Sequence, residues 1–232
     1  MKGKSVVITG GFGALGRAVA EAAATRGASV AALDVAPQPP AGLAQRLGPQ
    51  GLLIGGADLS TLAGAAKAMG EVKAKFGRLD ALVNIAGGFR WAKVEDGDPA
   101  TWDLLFAMNL KTALNASKAA APFLLESGAG RIVNVGAASA VKAAAGMGPY
   151  AASKSAVHRL TESLADEFKN RGVTVNAVLP SIIDTPANRA DMPNADFSRW
   201  VSPADLAAVI LFLASDEARA VTGALVPVTG GV

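Results

Sequence analysis

Short apolar runs of strand length alternate along this chain with longer alanine-rich stretches of helical period, and that alternation demands a parallel sheet with crossover helices. The apolar runs fall at 5–9, 29–34, 52–57, 81–85, 131–136, 174–179 and 225–229. They are nearly continuous rather than alternating, as expected of strands covered on both faces. Helical period is read near 14–26, 61–76, 99–127, 150–171 and 203–215. Parallel neighbours need a long crossover, and helices of this length supply it. The expected architecture is a doubly wound α/β sheet of about seven mostly parallel strands with helices on both faces. Between the second and third strands Pro37, Pro39 and Pro40 leave room only for a short or irregular helix.

No repeat, low-complexity linker or charge block divides the 232 residues, so one domain over 1–232 is expected. The least regular stretch is 181–200, which carries Pro186 and Pro193 before a helix start at Ser202-Pro203. A loop of that length in a compact domain is usually functional, and 184–200 is expected to form a substrate lid or loop.

Composition excludes several chemistries. The chain has no cysteine, so disulfides and thiolate metal sites are ruled out, and its one histidine, His158, cannot build a histidine-rich metal site. His158 is expected to be a helix-surface or packing residue. A net charge of +3 without any lysine- or arginine-rich stripe, with 5% aromatic residues, argues against nucleic-acid binding. The apolar runs are too short to cross a membrane, and the N-terminus leads straight into a strand, so a soluble, unprocessed, cytoplasmic protein is expected.

Four signals point to a dinucleotide. Gly10, Gly11, Phe12, Gly13, Ala14, Leu15 and Gly16 follow the first strand and open the first helix. Glycines there let backbone amides and the helix N-terminus approach a pyrophosphate. Asp34 ends the second strand, where a carboxylate accepts hydrogen bonds from ribose hydroxyls and repels a 2′-phosphate, which favours NAD(H) over NADP(H). Asp58 and Leu59 follow the third strand, and Asp58 either caps the next helix or contacts adenine. The fourth strand ends in Asn84-Ile85-Ala86-Gly87-Gly88, whose small residues allow a flat group to approach the backbone. Next come Phe89, Arg90 and Trp91, which either stack on a flat ring or pack a subunit surface.

Chemistry is signalled by Tyr150, the only tyrosine, four residues before Lys154. Positions i and i+4 share a helix face, so the ammonium is expected to favour the ionised phenol and lower its pKa. Such a phenol exchanges protons near neutral pH.

Together with Asn109, the segment 176–180, Thr222-Gly223 and Gly230-Gly231, these residues resemble the short-chain dehydrogenase/reductase family across the whole chain. The resemblance implies a single-domain Rossmann-like fold that moves hydride between a nicotinamide and a carbonyl, alcohol or reducible double bond. It casts Tyr150 as general acid/base and Lys154 as the residue that lowers its pKa and holds the nicotinamide ribose. Asn109 is implied to anchor a proton-relay water, and Ala86, Gly87, Pro180, Ile183 and Thr185 to contact the cofactor. A homodimer or homotetramer packed through helices 99–127 and 150–171 is implied as well.

Three positions depart from the family pattern: Ala14 and Ser181 stand where glycines are usual, and Ala137 stands where a serine polarises the substrate oxygen. Ser139 reaches the same face if extended geometry persists past the fifth strand. The segments 136–147, 156–160, 184–189 and 192–200 look like the dihydropteridine reductase branch, which also works without that serine. A small-molecule acceptor that needs little polarisation, such as a quinonoid dihydropterin, is therefore expected beside ordinary carbonyls and alcohols. The alternative is a catalytically weak nucleotide-sensing or scaffold protein on the same fold, for which Ala137 is the main support.

Overall fold

The computed structural model describes residues 1–232. Seven strands, β1 (Ser5–Thr9), β2 (Ser29–Leu33), β3 (Gly51–Ile54), β4 (Ala81–Asn84), β5 (Arg131–Val135), β6 (Thr174–Pro180) and β7 (Leu225–Val228), form one sheet. Their order is β3-β2-β1-β4-β5-β6-β7, with every pair parallel. Strands β1, β4, β5 and β6 are buried along their whole length, which is why their sequences read as unbroken apolar runs.

Successive side chains of a strand feed opposite layers. Val6 and Ile8 pack in the core shared with α1 (Ala14–Thr25) and α8 (Pro203–Leu213), whereas Val7 packs in the core shared with α3 (Leu62–Phe76) and α5 (Thr112–Glu126). Helix α2 (Leu43–Leu47) has only five residues, as the prolines before it require. None of the helices is long and apolar enough to cross a membrane.

Two stretches differ from the pattern expected of the sequence. The long helix read at 99–127 is α4 (Ala100–Leu105), a π-helical turn over Phe106–Lys111, and then α5. A π turn inserts a residue without breaking the helix, so a 3.6-residue period averages over it; such turns often mark functional positions. The irregular stretch 184–200 contains α7 (Pro186–Asp191), capped by the Thr185 side chain, and a 3₁₀ turn at Phe197–Arg199. Ser202 caps α8 by accepting from Asp205 N, with Pro203 at the first helical position.

Strands β2 and β4 flank β1 on opposite sides, so the chain winds away from β1 in both directions. Crossovers on either side leave a crevice beyond the carboxyl ends of β1 and β4.

Candidate active site

That crevice holds a cavity of about 810 Å³, within the usual size range of small-molecule and cofactor sites. Its floor is the glycine turn: Gly10, Gly13, Ala14, Leu15 and Gly16 all line it. Gly13 occupies the N-cap of α1 and no side chain caps that end, so the first-turn amides are free to meet an anion. At Gly16 an added Cβ would stand 2.1 Å from Gly10 O, which only glycine tolerates. Gly16→Ala is expected to cost about 2 kcal/mol by overpacking. The thermal midpoint should fall by several degrees in a melting experiment.

One end of the cavity is acidic and apolar, formed by Asp34, Val35, Ala57, Asp58, Leu59 and Ser60. Asp34 Oδ2 accepts from Phe12 N at 3.0 Å and Oδ1 from Ala36 N at 3.0 Å, so the carboxylate also braces the glycine turn. Asp58 does not cap α3. Its Oδ1 accepts from Ser60 N and Ser60 Oγ, while Thr61 caps the helix by accepting from Gly64 N. Of the two readings open for Asp58, the helix cap is thus not made, and the residue lines the cavity.

Six residues expected at the cofactor are not among those lining the cavity: Tyr150 and Lys154, described below, and Phe12, Asn84, Pro180 and Ile183. Phe12 is 7% exposed with its side chain in the core, so only its backbone serves the turn. Asn84 Nδ2 donates to Ser117 Oγ at 3.0 Å and Asn134 Oδ1 at 2.9 Å, which makes it part of a buried polar network beneath the site. Pro180 is buried at the end of β6. Ile183 packs on the α1/α8 core, and its carbonyl accepts from Asn188 Nδ2 at 2.8 Å. The irregular position Ser181 is explained by its hydroxyl, which donates to Thr229 O at 2.7 Å rather than crowding the cavity.

The opposite end is formed by Ile85, Ala86, Gly87, Ala107, Met108 and Thr185. Gly87 joins this wall to the reactive groups: a Cβ there would lie 2.5 Å from Asn109 Oδ1 and 3.5 Å from Lys154 Nζ. Asn109, on the π turn, is 1% exposed. Its Oδ1 accepts from Gly88 N at 2.8 Å, and its Nδ2 donates to Gly88 O at 3.1 Å and Ser153 Oγ at 2.9 Å. Ser153 Oγ in turn donates to Tyr150 O at 2.8 Å. Sequence reasoning missed Ser153, although a helical serine that bonds the carbonyl three residues back is a known local option. It also missed Ala107 and Met108, which reach the cavity because of the π turn.

Tyr150 and Lys154 stand on α6 (Gly148–Phe168), whose first turn starts two residues earlier than expected. Lys154 is 6% exposed and its Nζ donates to Val135 O at 2.8 Å. Burial lowers the ammonium from its ordinary 10.5 to about 8, and burial pushes the phenol of Tyr150 up to about 12. The expectation of a lowered phenol pKa is therefore corrected: desolvation outweighs the neighbouring cation, and at neutral pH the phenol keeps its proton. Phe89 meets the Tyr150 ring edge to face at 5.1 Å and packs against the reactive residue.

Beside this pair the expected hydroxyl is absent. Ala137 is 3% exposed, and its amide donates to His158 Nε2 at 3.3 Å. His158 is 4% exposed and held below its usual pKa by burial, Arg159 and Lys154, consistent with a neutral acceptor nitrogen; it is a packing residue, not a surface one. Extended geometry ends at Ala137, and residues Ala138–Ala140 turn into a 3₁₀ helix. The alternation that would have aimed Ser139 inward is lost, and its hydroxyl makes no hydrogen bond within the chain.

The comparisons with known proteins agree with this fold. The sequence model of the short chain dehydrogenases matches residues 4–196. The 2-(S)-hydroxypropyl-CoM dehydrogenase 3 of Xanthobacter autotrophicus is 34% identical over 100% of this chain and 97% of its own length. The D-threitol dehydrogenase of Mycolicibacterium smegmatis is 35% identical over 100% of this chain and 93% of its own. Among solved structures, carveol dehydrogenase from Mycobacterium avium in complex with NAD superposes with a TM-score of 0.89 at 27% identity, covering 100% of this chain and 98% of that one. With a family match over most of its length, a parallel Rossmann-like sheet and full-length relatives, the chain belongs to the short-chain dehydrogenase/reductase family.

Proposed function

We propose that this protein is an NAD(H)-dependent reductase whose acceptor is a carbonyl or a quinonoid dihydropterin-like imine, with Tyr150 as the proton donor. The observation that carries the reading is Gly87, which lines the cavity and abuts both Asn109 and Lys154, so a ligand in the cavity ends against the reactive face of α6.

The residues present fit a dinucleotide. The uncapped start of α1 would receive the pyrophosphate, Asp34 the adenosine ribose, Asp58 and Leu59 the adenine, Lys154 the second ribose and Thr185 the carboxamide. A reduced nicotinamide would supply the hydride, to the carbon of a carbonyl or to a ring nitrogen of a quinonoid dihydropterin. Tyr150 gives its phenolic proton to the acceptor oxygen or nitrogen, and the Lys154 cation stabilises the phenolate that remains. Asn109 fixes Gly88 and, through Ser153, the first turn of α6. With alanine at 137 in place of the family's serine, Tyr150 lacks its usual hydroxyl partner, which favours substrates already electrophilic. The relatives' names, a hydroxypropyl-CoM and a threitol dehydrogenase, keep alcohols and their ketones within the class.

No lysine or arginine lines the cavity, and the carboxylate of Asp34, which does, would repel a 2′-phosphate on the adenosine ribose. NADH is therefore expected to bind about tenfold or more tighter than NADPH in a fluorescence titration. Asp34→Asn keeps an acceptor for Phe12 N but removes the charge, and should narrow the preference to about threefold. Equal affinities in the wild-type protein would overturn the NAD assignment. Leu114 on α5 is 40% exposed, which supports a homodimer or homotetramer through the helices at 99–127 and 150–171, checked by sedimentation.

A further inference from the structure

The excursion from 184 to 200 is closed at its base by backbone. Ile183 pairs with Val201, Val201 N donates to Ile182 O at 3.0 Å, and Asp184 N donates to Val201 O at 2.8 Å. Its outgoing arm contributes Thr185, Pro186 and Ala187 to the cavity wall. The returning arm is anchored by Trp200, 8% exposed, whose ring lies 4.8 Å from that of Phe197.

A single side chain joins the two arms. Arg189 Nε and Nη2 donate to Asp184 Oδ1 and Oδ2 at 2.6 and 2.8 Å, and the guanidinium carbon lies 4.6 Å from the centre of the Phe197 ring. The planar cation thus uses its edge for the carboxylate and its face for the ring, which an ammonium cannot reproduce. Helix α7 has six residues, too few to be stable alone, so its place depends on such ties. Thr185 depends on α7 in turn: its Oγ1 accepts from Asn188 N at 3.2 Å, which leaves the hydroxyl hydrogen free to donate. Arg189 itself does not line the cavity.

We propose that Arg189 is a positioning residue for the cavity wall: by tying Asp184 to Phe197 it holds α7 and Thr185 in the ligand-ready place, and so sets dinucleotide affinity rather than the chemical step. This rests on reading the cavity as a dinucleotide site. Arg189 is solvent-exposed, so its replacement leaves the core intact.

The test is NADH titration by protein fluorescence, with hydrogen exchange of residues 185–200 in the ligand-free protein. Arg189→Met is expected to weaken NADH binding and raise its KM about tenfold, with kcat at saturating NADH within twofold of wild type. Exchange over 185–191 should rise in the same variant. Arg189→Lys should fail to restore affinity because the planar stack is gone. In a Thr185→Ala background, Arg189→Met should cost less than about threefold, since its effect passes through Thr185. Wild-type affinity and exchange in Arg189→Met would overturn the proposal alone, as would a lost kcat with unchanged KM. Failure of the wild-type protein to bind NADH would overturn the dinucleotide reading and this proposal together.

Discussion

Tyr150→Phe is expected to lower kcat at least about a thousandfold, roughly 4 kcal/mol of transition-state stabilisation, while leaving the NADH dissociation constant within twofold. General acid catalysis usually contributes between about a hundred- and ten-thousandfold. The upper half of that range is expected because Ala137 offers no hydroxyl, and Ser139 stands on a 3₁₀ helix rather than on a continuation of the strand. Burial keeps the phenol protonated, with a pKa of about 12, so the proton is available at every pH where the protein works. Phenylalanine preserves the ring that Phe89 packs against, and the loss should therefore be chemical rather than structural. Steady-state turnover at saturating NADH, with a parallel binding titration, checks both halves. Retained turnover would assign the proton to another group.

Lys154→Met should remove activity by at least about a hundredfold and yet stabilise the folded protein at neutral pH. The wild-type ammonium is buried and its pKa falls to about 8. Holding that charge in the folded state costs about 3 kcal/mol at pH 7. Methionine fills a similar volume without the charge, but leaves Val135 O without its donor, which costs about 1 kcal/mol. A net gain of about 2 kcal/mol should raise the thermal midpoint by several degrees. The pH dependence follows from the sign of the shift. Between pH 8 and 10.5 the unfolded chain binds more protons than the folded one at this site, so this group's contribution to wild-type stability rises with pH in that window and falls as pH drops through about 8. The advantage of Lys154→Met should therefore be full at pH 7 and gone near pH 10.5. Denaturant midpoints of both proteins at several pH values measure it. Reduction by the wild type should weaken above about pH 8, as the cation that stabilises the phenolate is lost.

Much of this fold can be read from the chain because both determinants are local. Unbroken apolar runs announce strands buried on both faces, and Ser202-Pro203 announces a helix start. The glycine turn is equally legible, since Gly16 has no room for a side chain. What escapes the sequence depends on small departures from a period or on distant partners. The π turn at Phe106–Lys111 shifts the helix face by one residue and brings Ala107 and Met108 to the cavity. The reach of Ser139 fails because extended geometry stops at Ala137. A lysine one helical turn away suggested an acidic phenol, yet burial of both groups, invisible in the spacing, sets the opposite sign for Tyr150. The tie between Arg189 and Phe197 spans eight positions of irregular chain and carries no periodic signal.

Hydride transfer with Tyr150 as the proton donor is tested most directly by single-turnover reactions with NADH deuterated at C4, run against cyclic and aliphatic ketones and a quinonoid dihydropterin. Deuterium should appear on the carbinol carbon of at least one ketone product, or, for the dihydropterin, whose new N–H exchanges with water, oxidation of the labelled NADH should show a primary isotope effect; the same reaction should be nearly abolished in Tyr150→Phe. Tight NADH binding without oxidation of the nucleotide by any acceptor would contradict it, and would make the protein a nucleotide binder rather than a reductase.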